Sequence, residues 1–358
     1  MKNQNHPKKK QVSERKLTKK RALITGITGQ DGSYLAEFLV KKGYEVFGML
    51  RRTSTDPLMR IEKLYVTRKV LLLNADLRDE AAIARVLAVA QPDEIYNLAA
   101  QSDVGISFTC PEETFDIDYH GVGRLVRAAM KQNKNVRIYQ ASTSEMYGKT
   151  KPPQSEISVF APVSPYGEAK LKAHEDFVVG YRKKYGLFIC SGILFNHESP
   201  RRGKHFVTRK ITNSMVKVKL GIQKSFELGN LEAHRDWGFA GDYVEAMWKM
   251  LQQKKPKDYV IATGKSYTVR EFFEAVAIEL GLKITWQGKG LNEVAKDQHG
   301  KIIMRVNKKF YRPHEVDYLL GDSTLAQKEL GWKIKTTMKQ LVKMMVQSDM
   351  KLLKHLGK

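Results

Sequence analysis

The chain has 358 residues, 42% of them hydrophobic, and carries 62 Lys and Arg against 38 Asp and Glu for a formal charge of +24. That length buries a sizeable core in one large domain or two closely packed ones. No run approaches the ~20 apolar residues of a membrane helix, and no signal-peptide core is present, so a cytoplasmic protein is expected. Two cysteines, Cys110 and Cys190, distant from each other and from any His cluster, argue against a disulfide framework and a metal site.

A charge excess of this size suits nucleic acid, an acidic membrane or an anionic small substrate. The first 21 residues hold nine Lys or Arg and one Glu, a formal +8, which leaves +16 on the rest. Residues 1–19 are polar and aperiodic and are expected to form a disordered basic tail. Elsewhere the basic residues are scattered, without the interleaved aromatics of a base-stacking platform.

Residues 21–25 (RALIT) form a short apolar run that breaks into Gly26-Ile27-Thr28-Gly29-Gln30-Asp31-Gly32, after which Leu35, Phe38 and Leu39 recur at helical spacing. This strand, Gly turn and helix suit a dinucleotide pyrophosphate, because glycines let backbone N–H groups approach the phosphates at a helix N-terminus. Residues 44–50 make the second strand. It delivers Arg51 and Arg52 where a ribose-binding acid usually stands, and paired guanidiniums suit a 2′-phosphate, so NADP is favoured over NAD. The third strand, 70–74, leads to Asp76 and Leu77 as adenine-side contacts, and a helix spans about 80–90. The fourth, 94–98, ends at Leu98 and opens into Ala99-Ala100-Gln101-Ser102, small enough for a nicotinamide ribose to approach the backbone.

A helical stretch over about 111–132 precedes the fifth strand, 137–141, with Ser142, Thr143, Ser144 and Glu145 on the turn that follows. Ligands of open α/β sheets bind at this carboxyl edge. After a Pro-rich loop, Ser164 is a plausible N-cap and Pro165 suits the first helical turn. Tyr166 and Lys170 then share a face at i, i+4, where an ammonium beside a phenol favours the phenolate and hence a base. Residues 188–194 form a sixth strand and deliver Asn196 to Gly203. Beyond it lie a helix at 208–220, a strand at 225–228, a turn at 234–238, helices at 242–252 and 269–280, and a basic aperiodic patch at 288–309. The architecture expected is α/β, a Rossmann-type doubly wound parallel sheet over mainly 20–195, with a smaller mixed substrate-binding lobe over mainly 196–358 and some exchange of chain between them.

With these motifs in place the chain resembles the extended short-chain dehydrogenase/reductase superfamily and, within it, the GDP-mannose 4,6-dehydratase family. The match rests on GILFNHESPRRGKHFVTRKIT at 192–212, RDWG at 235–238, YVIATG at 259–264, RPHEVDYLLGD at 312–322 and LGW at 330–332. The resemblance implies that Thr143, Glu145 and Tyr166 are catalytic and that Lys170 supports Tyr166 while touching the cofactor ribose. It implies NADP contacts from Gly26 to Asp31, from Arg51, Asp76 and Leu77, from Leu98 to Ser102, and from His197 and Arg202. Asn196, Lys210, Arg235, Arg312 and Glu315 would face the nucleotide sugar, GDP-mannose, in a homodimer or homotetramer. Asp103 departs from the His or aromatic residue that the family often carries there. Glu198, Arg201 and Asp236 are read as ion-pair partners shaping the loop.

The reaction implied removes water across C5 and C6 of the hexose, with hydride leaving C4 and returning to C6. The alternatives are a related NADP-dependent nucleotide-sugar reductase or epimerase, against which Glu145 argues, and a non-catalytic nucleic-acid-binding protein, against which the intact Thr143, Glu145, Tyr166 and Lys170 argue.

Overall fold

The computed structural model describes residues 19–311 and 316–354. The expected basic tail and the residues Arg312 and Glu315 lie outside the described residues, apart from Lys19. Seven strands, β1 (Arg21–Thr25), β2 (Glu45–Leu50), β3 (Val70–Asn74), β4 (Glu94–Asn97), β5 (Arg137–Thr143), β6 (Ile189–Leu194) and β7 (Tyr259–Ile261), make one sheet in the order β7-β6-β5-β4-β1-β2-β3. Every pairing in it is parallel. A parallel sheet is covered on both faces, which is why these strands read as continuous apolar runs rather than alternating ones.

One face is covered by helices Gln30–Lys41 and Ala240–Leu251, which bury Leu35, Leu39, Val244 and Met247 with Trp332. The other packs Glu80–Ala90, Gly121–Gln132 and the helical run through Phe177 and Val178. Strand order reverses at β1, which lies between β2 and β4, so the crevice where doubly wound sheets bind ligands opens at the carboxyl ends of β1 and β4.

A second core surrounds a four-stranded sheet of Phe226–Leu228, Thr285–Gln287, Val294–Lys296 and Ile302–Val306. Helices Val207–Lys219, Val269–Glu279 and Met338–Leu353 pack against it around Trp237, Phe272, Phe273 and Met345. The last helix is latched by buried Asp349, which pairs with Arg209 and accepts from the Thr212 hydroxyl at 2.8 Å and the Asn213 amide at 3.0 Å. Between the two cores the chain crosses back, since β7 and helix Thr324–Leu330 lie against the large sheet.

Three sequence-based expectations are corrected. Ser142 and Thr143 belong to β5 and not to the turn, because β6 continues alongside them and pairs Ser142 with Ile193 and Thr143 with Leu194. Residues 234–238 hold strands, His234–Asp236 against Ser266–Thr268 and Gly238–Phe239 against His197–Glu198, so this segment ties distant parts of the chain. The basic patch at 288–309 contains two strands that bury Ala295, Ile303, Met304 and Val306 beneath their charged outer residues.

Candidate active site

A cavity of about 830 Å³ opens at the crevice, lined from both cores. Its first wall is the Gly turn after β1. Gly26 has φ +66°, and a Cβ there would stand 2.9 Å from the Ala99 backbone nitrogen. At Gly32 a Cβ would stand 2.3 Å from the Gly26 carbonyl, so the helix start can sit this close to the turn only as glycine. Helix Gln30–Lys41 has Gly29 as its N-cap with no side chain capping it, which leaves first-turn N–H groups for an anionic ligand. Thr28, Gln30 and Asp31 line the cavity beside them, whereas the Ile27 side chain is fully buried beneath the sheet and can offer only backbone.

Arg51 lines the cavity mouth, exposed, and its charge reaches Asp76. The Asp76 carboxylate is taken by the Arg78 guanidinium at 2.8 and 3.0 Å, and Leu77 lines the wall beside it. Leu98, Ala99, Ala100, Gln101 and Ser102 form the next part of the wall, held by the Thr25 hydroxyl, which accepts from the Leu98 and Ala99 N–H groups at 3.0 Å each. The residues fit a dinucleotide: a cradle that a Cβ would fill, uncapped helix N–H groups and a guanidinium at one end.

His197 closes the turn from the other lobe. Its Nδ1 is 2.8 Å from the Phe195 carbonyl and its Nε2 is 2.7 Å from Asp31 Oδ2. With Asp31 ionised both partners accept, an arrangement that favours the doubly protonated ring. Burial works against both charges, yet the pairing leaves His197 raised and Asp31 lowered from their ordinary values. Arg202 lines the same wall with Nε 3.2 Å from Glu198 Oε2, and the Thr208 hydroxyl donates to that carboxylate at 2.5 Å. Arg201 pairs with Glu37, while Asp236 accepts from the Thr263 and Gly264 N–H groups at 2.8 and 2.9 Å and shapes the loop with no ion pair among the described residues.

The opposite wall carries the candidate catalytic residues. The Thr143 hydroxyl accepts the Glu145 N–H at 3.2 Å at the start of the short helical turn Ser144–Met146. Helix Pro165–Ala173 starts as expected, with the Ser164 hydroxyl accepting from Gly167 N at 3.1 Å. Gly167 lets that helix lie on the turn: a Cβ there would stand 2.8 Å from the Glu145 carbonyl. Tyr166 is thereby brought close enough to Thr143 and to the Glu145 charge for both to act on its phenol. Thr143, Glu145, Tyr166 and Lys170 are all buried and all line the cavity. Ser142 serves the scaffold, since its hydroxyl donates to Ser191 at 3.0 Å, and Ser191 in turn contacts His174 at 2.9 Å.

Burial, then the charges of Asp118 and Glu145, push the Tyr166 phenol above its ordinary value, and the Thr143 hydroxyl and Arg202 offset only part. The Lys170 ammonium sits 5.8 Å from the ring centroid and donates to the Ala141 carbonyl at 3.3 Å.

Toward the second lobe, Asn196, Lys210 and Arg235 line the cavity. Arg235 is buried on its strand and donates to the His234 carbonyl at 2.9 Å. Lys210 stands 3.3 Å from the Phe310 ring centroid, its ammonium pulled down to about 8 by burial and by Lys309. Sequence reasoning missed Phe310, Asn230 and His205 in this lining, and Asp118 behind it, because each comes from a loop or a helix irregularity that periodicity does not mark.

The doubly wound sheet, the Gly turn and the Tyr-Lys helix at the carboxyl edge define a short-chain dehydrogenase/reductase of the extended type. Among solved structures, the chain superposes on UDP-glucose 4-epimerase of Thermotoga maritima with TM-score 0.77 and 24% identity, covering 93% of this chain and 99% of that one. It superposes equally on dTDP-glucose 4,6-dehydratase of Bacillus anthracis, solved with NAD, at TM-score 0.77 and 19% identity over 95% and 100% of the two chains. The sequence model described as "GDP-mannose 4,6 dehydratase" matches residues 23–345. GDP-mannose 4,6 dehydratase 2 of Caenorhabditis elegans is 51% identical over 354 residues, which cover 96% of this chain and 91% of the relative. The Homo sapiens GDP-mannose 4,6 dehydratase is 51% identical over 343 residues, 93% of this chain and 92% of the relative, and the Vibrio cholerae O1 protein is 49% identical over 353 residues, 93% and 94%. The chain belongs to the GDP-mannose 4,6-dehydratase family.

Proposed function

We propose that the chain is an NADP-dependent hydro-lyase that converts GDP-D-mannose to GDP-4-keto-6-deoxy-D-mannose and water, a step toward deoxyhexose nucleotide sugars. The observation that carries this reading is the burial of a carboxylate, Glu145, beside the Tyr166 phenol in the cavity that also holds the uncapped Gly turn. A plain reductase needs no such carboxylate.

In this reading Gly26 to Asp31, Asp76, Leu77, Leu98 to Ser102, Lys170, His197 and Arg202 hold the cofactor, and Arg51 at the cavity mouth binds the 2′-phosphate that distinguishes NADP from NAD. Bound there, NADP would supply a hydride acceptor and donor, and the positive charge of its oxidised ring would favour the Tyr166 phenolate. Tyr166 receives the C4 hydroxyl proton while Thr143 holds the C4 oxygen. The 4-keto group acidifies C5–H, Glu145 removes that proton and its carboxyl gives it to the C6 hydroxyl, which leaves as water, and the proton held by Tyr166 balances the one that C5 regains as hydride adds at C6. Asn196, Lys210 and Arg235 grip the nucleotide sugar, together with Arg312 and Glu315 carried over from the family resemblance. The enzyme works in the cytoplasm as a homodimer or homotetramer, with 20–195 mainly binding cofactor and 196–358 mainly binding sugar nucleotide. Incubation of purified protein with GDP-mannose and no added reductant tests this: a 4-keto-6-deoxy product is expected, and an epimer or an unchanged substrate would contradict it.

A further inference from the structure

The segment that runs from β6 into helix Val207–Lys219 is fastened across the crevice by three side chains. His197 and Arg201 pair with Asp31 and Glu37 of helix Gln30–Lys41, and His205 pairs with Asp103, which follows the 98–102 wall. His205 is the most exposed of the three, at 60%, and both members of its pair line the cavity. Each partner is aimed by its own surroundings. The Gln101 amide fixes the Asp103 backbone, its oxygen accepting the Asp103 N–H at 2.8 Å and its nitrogen donating to the Asp103 carbonyl at 3.0 Å. Asp103 Oδ1 accepts the Gly105 and Ile106 N–H groups at 2.8 and 3.2 Å and so caps helix Val104–Thr109, which leaves Oδ2 to face His205 Nε2 at 3.7 Å. On the other side Gly203 gives the imidazole room, since a Cβ there would stand 2.8 Å from His205 Cε1. The imidazole centroid lies 4.3 Å from that of Phe206, and the Arg202 guanidinium covers Phe206 at 3.6 Å. At 3.7 Å the contact is longer than a hydrogen bond, so it attracts through charge and opens without breaking one. Asp103 is also where this chain departs from the residue its family often carries, and the reaction steps derived above give neither member of the pair a role.

We propose that Asp103 and His205 form a clasp across the cavity that slows the escape of a sugar nucleotide bound inside it. Asn196, Lys210 and Arg235 line the cavity on the side of the second lobe, and the clasp joins that side to the cofactor wall over the space between them. The pair acts on the two walls and not on the reacting atoms. The dehydratase reading, on which this proposal rests, gives retention a purpose: an intermediate that left after losing its C4 hydride would be a ketone that never regains it, and the hydride would stay behind on the cofactor.

The test is a double-mutant cycle of Asp103→Asn and His205→Gln in the full chain, read as the rate at which GDP leaves the NADPH-bound protein. Asparagine keeps the cap on helix Val104–Thr109 and removes only the charge. The measurement is made at about pH 5.5, below the ~6.5 of a free imidazole, and at low and high salt. Each single variant is expected to release GDP about 2- to 5-fold faster than wild type, the range of an exposed ion pair, and the double variant to match the singles rather than their product. The ratio of variant to wild type falls toward one at about 1 M salt, where screening removes the attraction. With GDP-mannose as substrate, the NADPH left behind per 4-keto-6-deoxy product rises by a similar factor. Release at the wild-type rate in both single variants, or effects that multiply in the double, overturn the proposal. So does a ratio indifferent to salt, which marks a merely structural change, and so does a wild-type protein that does not bind GDP. Should the wild type bind GDP yet fail to dehydrate GDP-mannose, the dehydratase reading falls, and the GDP release cycle decides the clasp by the same outcomes.

Discussion

Gly167 sets the distance between the two groups that the proposed reaction needs side by side. A Cβ there would lie 2.8 Å from the Glu145 carbonyl and 3.0 Å from Pro162 Cβ, about 0.6 Å inside the 3.4 Å at which ordinary contact begins. Neither neighbour is the end of a flexible side chain, so Gly167→Ala must move helix Pro165–Ala173 off the Ser144–Met146 turn by a few tenths of an ångström. Overpacking of this kind costs about 1–3 kcal/mol of stability. Its effect on turnover is larger in proportion, because a ~1 Å misplacement costs about 100-fold and the expected shift is roughly half of that, giving about 10-fold in kcat. Thermal melting and steady-state dehydration of GDP-mannose measure the two effects on one preparation. A variant that melts lower yet keeps kcat within about 2-fold would refute the claim that this packing aligns Tyr166 with Glu145.

Glu145→Gln should fold and bind NADP normally but lose solvent deuterium exchange at C5 of a supplied 4-keto intermediate by roughly 100-fold or more, the worth of a general base, and persisting wild-type exchange would remove Glu145 from that role. Arg51→Ala should weaken NADP binding roughly 10- to 100-fold with little effect on NAD, as titration of both cofactors would reveal, and equal losses would make Arg51 structural. The His197–Asp31 pair gives a pH signature. His197 is raised, so its contribution is complete below an unfolded value of ~6.5 and is lost as pH rises through the folded value; Asp31 is lowered, so its contribution is present above ~3.8 and is lost as pH falls through its folded value. Asp31→Asn should therefore cost most in melting temperature between about pH 4 and 6.5 and progressively less as pH rises through the folded value of His197, and a loss that does not fall with rising pH would contradict an imidazolium at His197.

Five of the first six strands were legible as largely buried runs, the edge strand β3 as the run VLLLN although Leu71 and Asn74 are exposed, and the Tyr166–Lys170 helix because Ser164 and Pro165 mark its start. The seventh strand was not, since Tyr259–Ile261 is three residues long and finds its pairing only against β6. The hairpin within 288–309 was hidden by exposed Lys289, Lys301 and Arg305, which mask the buried Ala295, Ile303 and Met304 in any average over the segment. Thr143 was placed one element late because strand length is set by the partner, and β6 runs two residues further than the apolar pattern of β5 suggests. The Asp118 turn, a π-helical one at Asp116–His120, and the His197–Asp31 contact are beyond sequence reading for another reason. A π-helical turn leaves no periodic mark, and the imidazole meets a carboxylate 166 residues away only after both lobes have formed.

The central claim is that hydride leaves and returns within one sugar while water is eliminated between. Purified protein given GDP-mannose deuterated at C4, with NADP and no reductant, measures this directly. The account predicts a 4-keto-6-deoxy product with the deuterium at C6; deuterium left in free NADPH, lost to solvent, or still at C4 of an epimer would contradict it.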